Sequence, residues 1–387
     1  MEEMKREGPD WSTLHEDLII SIANRLPLEN YVVFASVCRS WRAVLSKHSF
    51  NSSNHHRLPW LILLRQRTRS NSETIRIIYS LSNNKLYKLL PPSPPPPRPR
   101  TTPIFSSLGW IMTAAATSND LALFHPLSPD RSIVTLPNCR ISTVHKLLLS
   151  SKPTFPPPSD FIAVTIVLQP TNQLLYWRPG NSNWKKILTV PRHSFFLDLA
   201  LFNGRFYAVD HNRRIYALNL GPNLPDDEYD RVATLISHLN LPKCDAPFVN
   251  PYDVEMLFLV ESEGSLLVVQ GNRQWWGEGR HETMEFRVFE VDVNDGAFRK
   301  VENLGDRALF VGDNSSSFSV KASEFEGCKC NCVYFADDFR KLDKCWVRNK
   351  DIGIFHLETG EVEHFFVFEE THSNYLAPLW VQPSFFM

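Results

Sequence analysis

The chain has 387 residues, a formal net charge of -1 and 43% apolar side chains, which leaves room for one small and one large domain, or for two or three average ones. The balanced charge excludes a strong field drawing it to nucleic acid or to an anionic membrane. No apolar run reaches the roughly 20 residues of a membrane span, and MEEMKREGPD at the start lacks the apolar stretch of a secretory signal, so cytosol or nucleus is the expected location. Seven unevenly spread cysteines fit reduced thiols better than a disulfide framework, and 28 prolines favour turns between strands over long helices.

In chain order, residues 1–10 are polar and expected to be disordered. From Trp11 to Leu45 the pattern is helical. Ser12 or Thr13 can N-cap a helix, with Glu16 three residues past Thr13 as in a capping box. Leu18, Ile19, Ile22 and Leu26 recur at helical spacing, and Pro27 ends the helix. A second apolar run follows through Tyr31, Val33, Phe34, Val37, Cys38, Trp41 and Leu45. The resulting short helices are too small to bury a core alone, so a partner is expected to complete it.

The blocks Leu14 to Leu18, Arg25 to Leu28 and Val37 to Arg42, in that order and spacing, resemble an F-box. The resemblance spans residues 11–50 and departs at His15, where that family has proline. It implies docking on a Skp-type adaptor and, through it, on a cullin ubiquitin ligase. The adaptor contacts it implies are Leu14, Glu16, Leu18, Leu26, Pro27 and Leu28, with Ile22, Val37, Cys38 and Trp41 forming or bordering a shared apolar layer. An ordinary helical hairpin with a tryptophan in its core is the plainer alternative.

A polar connector, residues 51–57, leads into a region of different grammar, 58–387. Short apolar and aromatic runs alternate with turn residues, and a hairpin pattern recurs: 75–79 into 86–87, 121–124 into 133–134, 174–177 into Trp184, 214–218 across a longer loop, 286–293 into Phe298, and 352–357 into Val362. Asn203-Gly204 reads as a tight turn, and Gly296 suits a position with positive φ. Isolated hairpins cannot bury an apolar face, whereas sheets stacked radially can. The expected fold is a small all-α module followed by an all-β propeller of six blades, or seven as the alternative. Phe202 to Tyr207, Val288 to Asp292, Leu304 to Phe310, Asn331 to Asp338, Gly353 to Phe355 and Pro378 to Trp380 resemble the C-terminal, kelch-like propeller of plant F-box proteins of the KIB type. The proline-rich segment 91–103 prefers polyproline II and reads as an exposed loop between blades rather than a docking motif.

No catalytic set stands out. Cys328, Cys330 and Cys332, with Cys345, His356 and His364 further on, invite a zinc reading, but alternate spacing in a strand is not that of a zinc knuckle, and no metal or cofactor is expected. Asp337-Asp338 and 226–228 are acidic neighbours that read as solvated turns, and there is no phosphate loop or nucleophile elbow. Trp275 and Trp276, in a polar stretch with Arg280, are expected on a loop and are the candidate substrate contacts. The expected role is a non-catalytic substrate receptor for a protein client not named by the sequence. A propeller enzyme or sugar-binding module with an incidental hairpin is the alternative.

Overall fold

The computed structural model describes residues 10–26, 34, 37–47, 59–64, 76–81, 85–89, 105–114, 120–125, 133–139, 143–154, 160–168, 172–189, 194–220, 232–242, 253–277, 280–325, 327–338, 350–364 and 378–382. The proline-rich segment, the connector, the 226–228 cluster and Cys345 lie outside them.

Among its described residues the N-terminal module holds a 3-10 turn, Trp11–Thr13, and the helices α1 (Glu16–Ala23) and α2 (Arg39–Lys47), with Phe34 also in helical conformation. The expected cap of α1 is corrected. Asp10 accepts from the amide (3.0 Å) and the hydroxyl (2.6 Å) of Ser12, committing Ser12 and Thr13 to the earlier turn. His15 becomes the N-cap, its Nδ1 accepting from the Asp17 amide at 3.4 Å. Its φ of -61° is one proline adopts, and Leu14 before it is extended, as a residue preceding proline must be. The family proline therefore fits this backbone. Ile19, Ala23, Trp41 and Leu45 form the module's buried core, with Leu14, Phe34, Cys38 and Val44 packed around it. The Trp41 indole N–H donates to the Trp11 carbonyl at 2.8 Å, and the Phe34 ring lies 4.3 Å from it.

The remainder is a ring of largely antiparallel sheets. The first contains β1 (Trp60–Leu64), β2 (Arg76–Ser80) and β3 (Lys85–Leu89). The second is β4 (Phe105–Ser107), β5 (Trp110–Ala114), β6 (Leu121–Phe124) and β7 (Ile133–Leu136). Then come β8 (Val144–Leu149), β9 (Ala163–Val167), β10 (Gln173–Trp177) and β11 (Lys185–Thr189), followed by β12 (Phe196–Phe202), β13 (Arg205–Asp210), β14 (Arg214–Leu218) and β15 (Val232–His238). After β16 (Val254–Ser262), β17 (Ser265–Gly277), β18 (Arg280–Val291) and β19 (Phe298–Val301) the chain makes β20 (Arg307–Val311), β21 (Phe318–Lys321), β22 (Cys332–Asp338), β23 (Lys350–His356) and β24 (Val362–His364). The last strand, β25 (Leu379–Val381), returns to pair antiparallel with β1, Leu61 opposite Trp380, and closes the ring.

Inner strands pack in succession around the axis: β25 on β4, β4 on β8, β8 on β12, β12 on β16, and β16 on β21. The apolar clusters are the wedges between neighbouring sheets. One joins Leu148 and Ile166 to Phe206 and Tyr216, and the next joins Val209 and Ile215 to Leu259 and Val268. Such burial from both sides explains strands like β9, buried at every position.

The expected count of six blades, or seven, is corrected: the described strands form five sheets. The cause is local. The outer strands β11 and β15 pair in parallel through Leu188 with Val232 and Thr189 with Ala233, fusing two meanders into one eight-stranded sheet. The Asn203-Gly204 turn is as expected, with φ of 48° and 72° and strands β12 and β13 in register on either side.

Candidate functional site

Helix α1 carries two apolar stripes. Ile19 and Ala23 are buried in the module, whereas Leu18 and Ile22, also four apart, are 53% and 40% exposed. Val37, just before α2, is 57% exposed. Among the described residues, a second apolar stripe thus faces water beside the module's buried core. Among the other expected adaptor contacts, Glu16 is exposed, Leu14, Leu26 and Cys38 are half-buried, and Pro27 and Leu28 lie outside the described residues. Trp41, expected to form or border the shared apolar layer, lies in the module's core: it is 7% exposed and held by the Trp11 carbonyl.

Trp275 and Trp276 are also corrected. They belong to strand β17, with Trp275 opposite His281 and Gly277 opposite Arg280 across a bulge. The strand runs on because its base is fixed by buried polar contacts. The Thr283 amide and hydroxyl both donate to Asp351 Oδ2, at 2.6 and 2.5 Å, and Arg273 Nε lies 3.6 Å from that oxygen. Higher up, the Trp275 amide donates to Asp253 at 2.8 Å. Neighbouring strand residues point to opposite faces, and the two rings differ accordingly: Trp275 is half-buried, Trp276 is 59% exposed. A stiff hairpin therefore holds one indole in water. Arg280 begins β18; its side chain is outside the described set.

At the axis the structure shows what sequence reading missed. Lys146 on β8 and Asp198 on β12 form an ion pair at 2.8 Å, with side chains 1% and 0% exposed. Lys146 also donates to the Gly312 carbonyl at 2.8 Å, and Asp198 accepts from the Leu259 amide at 2.8 Å and the Ser317 hydroxyl at 3.2 Å. Burial pushes the Asp198 carboxyl above its ordinary range, against the pull of Lys146 and the Leu259 amide. The segment 312–317 carries this knot. Its Asn314 carbonyl accepts from the Ser106 amide, and its Ser315 hydroxyl accepts from the Trp380 amide. Only glycine fits at 312, because a Cβ there would collide with the Ala336 carbonyl. Strands β4, β8, β12 and β25 are thereby tied directly to one loop, and β16 is tied to it through Asp198.

Of the cysteine cluster, Cys332 is buried, Cys328 half-buried and Cys330 exposed. Cys332 opens β22, donates to the Cys330 carbonyl at 3.0 Å and lies 3.4 Å from His356 Nδ1. Burial raises the thiols of Cys328 and Cys332 to about 11 and about 12. Among the described residues no group of three or more His, Cys, Asp or Glu is placed to hold a metal ion. Asp337 and Asp338 are in β22, not on a turn. No described helix is long and apolar enough to cross a membrane.

Comparison with known proteins agrees with both halves of this architecture. Residues 11–53 match the F-box domain, and residues 78–356 match the KIB1-4 beta-propeller. Similar chains come from Arabidopsis thaliana. F-box protein At2g26160 is 25% identical over 87% of this chain and 98% of its own length. Putative F-box protein At1g65770 is 28% identical over 85% and 89%. F-box protein SKIP23 is 24% identical over 92% and 91%. With an F-box module at its start and the larger match covering most of the ring, this chain belongs to the family of F-box proteins that carry a KIB1-4 beta-propeller.

Proposed function

We propose that this chain is the substrate-receptor subunit of a Skp-cullin-F-box ubiquitin ligase. The helical module docks on a Skp-type adaptor, and the propeller holds a protein client so that its lysines sit near the charged conjugating enzyme. Such a receptor acts by positioning, raising the local concentration of one reactant beside another, and needs no catalytic side chain of its own. The observation that carries this reading is the exposed stripe of Leu18 and Ile22, with Val37 exposed as well, beside the module's buried core. Replacing Leu18 and Ile22 together with Ala is expected to weaken adaptor binding about thirtyfold in a titration, the equivalent of about 2 kcal/mol. Propeller melting should be unchanged, since the module's core cluster contains no propeller residue. An affinity equal to wild type would remove the main support for this reading.

For the client side, Trp276 is the proposed anchor, and Trp275 stiffens the hairpin beneath it. In proximity labelling by the whole chain, Trp276→Ala is expected to lose about tenfold or more of the label on client proteins while adaptor co-purification stays intact. An unchanged labelled set would refute the anchor role of Trp276.

A further inference from the structure

At the end of the ring opposite Trp276, the two halves of the eight-stranded sheet part around a cleft of about 350 Å³. The geometry fixes which end this is. The Asn203-Gly204 turn borders the cleft on one side and, on the other, shares a second hollow with Gly264 and Ser265, at the far end of β17 from Trp276. The volume lies in the range of small-molecule sites.

Its chemistry is asymmetric. The described charged residues lining it are Arg178, Arg205 and Asp160, leaving one positive charge in excess. Arg178 follows β10 and is fixed in direction by Nη2–H donation to the Leu220 carbonyl at 2.8 Å. Arg205 opens β13, where the left-handed Asn203-Gly204 turn brings it to the rim, and its side chain is exposed. The Ser150 hydroxyl accepts from the Ile162 amide at 2.8 Å, which leaves its own proton to donate. The exposed Asn219 adds an amide, and the buried Phe206 contributes to an apolar floor.

We propose that this cleft binds a small organic anion, a carboxylate or phosphate monoester with a flat apolar body. The anionic oxygens meet the guanidinium groups of Arg178 and Arg205, planar donors suited to both oxyanions, while the apolar body lies against the partly exposed Ile162. The anion can belong to a free small molecule or to a modified side chain of a protein. The proposal is independent of the adaptor reading, because none of the residues lining the cleft lies in the helical module.

Titration calorimetry on the full-length chain, with phenyl phosphate and benzoate as probes, tests it. Saturable binding of at least one probe is expected, with no binding of neutral benzyl alcohol. Arg205→Gln should weaken the bound probe about tenfold, and Arg178→Lys, which keeps the charge but loses the fork, should weaken it severalfold. No saturation with either probe, equal affinity in the Arg205 variant, or equal binding of benzyl alcohol would each overturn the proposal. A short phosphotyrosine peptide separates the sources: tighter binding than phenyl phosphate assigns the site to a protein side chain, and weaker binding assigns it to a free small molecule.

Discussion

Lys146→Met is expected to destabilise the propeller by about 3–5 kcal/mol, the usual consequence of stranding a buried charge. Asp198 would keep the Leu259 amide and the Ser317 hydroxyl but lose its only cation within salt-bridge distance among the described residues. The pH dependence has a definite sign. Burial holds the Asp198 carboxyl above its unfolded value, so protonation favours the folded state, and stability falls as pH rises from the ordinary carboxylate range through the raised one. Removing Lys146 raises that carboxyl further, so the deficit should be larger at pH 8 than at pH 5. Urea unfolding at both values measures it. The double variant Lys146→Met with Asp198→Leu should recover most of the loss, because a buried pair replaced by apolar groups is often close to neutral. A single variant within about 1 kcal/mol of wild type would mean that the axial pair is solvated in solution.

Trp380→Ala should have a comparable effect, about 3–5 kcal/mol, for a different reason. The indole is fully buried, edge-on to Phe310 at 5.1 Å and to Tyr334 at 6.3 Å. Its N–H donates to the Val311 carbonyl at 3.1 Å, and the backbone of Trp380 bonds Ser315 and Ser106 across the axis. Truncation leaves a large cavity at the seam where the last strand meets the first. Trp380→Phe keeps most of the volume and loses mainly the hydrogen bond, so about 1–3 kcal/mol is expected. Thermal unfolding followed by near-ultraviolet circular dichroism distinguishes the two. Equal losses for Ala and Phe would show that the hydrogen bond, and not packing, holds the seam.

Much of this molecule was legible in the sequence wherever a signal is local. Turn chemistry at Asn203-Gly204 and apolar runs such as 121–124 and 214–218 mark strands with the observed bounds. What escaped depends on partners distant along the chain. Lys146 looks like any lysine until β12 brings Asp198 against it. The pairing of β11 with β15 leaves no local mark, so the fused sheet could not be read. Trp275 and Trp276 have loop-like neighbours, yet Asp253 and the knot around Asp351 hold the strand straight beyond the point where composition suggests it should end. His15 became a helix cap because Asp10 had already taken Ser12. At Trp41 helical spacing alone cannot tell the stripe that fills a module's interior from the one it offers outward; the structure places it inside.

The pairing of β25 with β1 also constrains the order of events at the ribosome. Strand β1 emerges first among the propeller strands, and its edge partner emerges last. Throughout synthesis the backbone N–H and C=O groups on that side of β1 have no native neighbour, and an open strand edge of this kind recruits other chains. Nascent copies on one polysome would each present the same unpaired edge. Chaperone occupancy should therefore persist until Leu379–Val381 clears the exit tunnel, and stop codons a few residues upstream should produce aggregates rather than a slightly weakened fold.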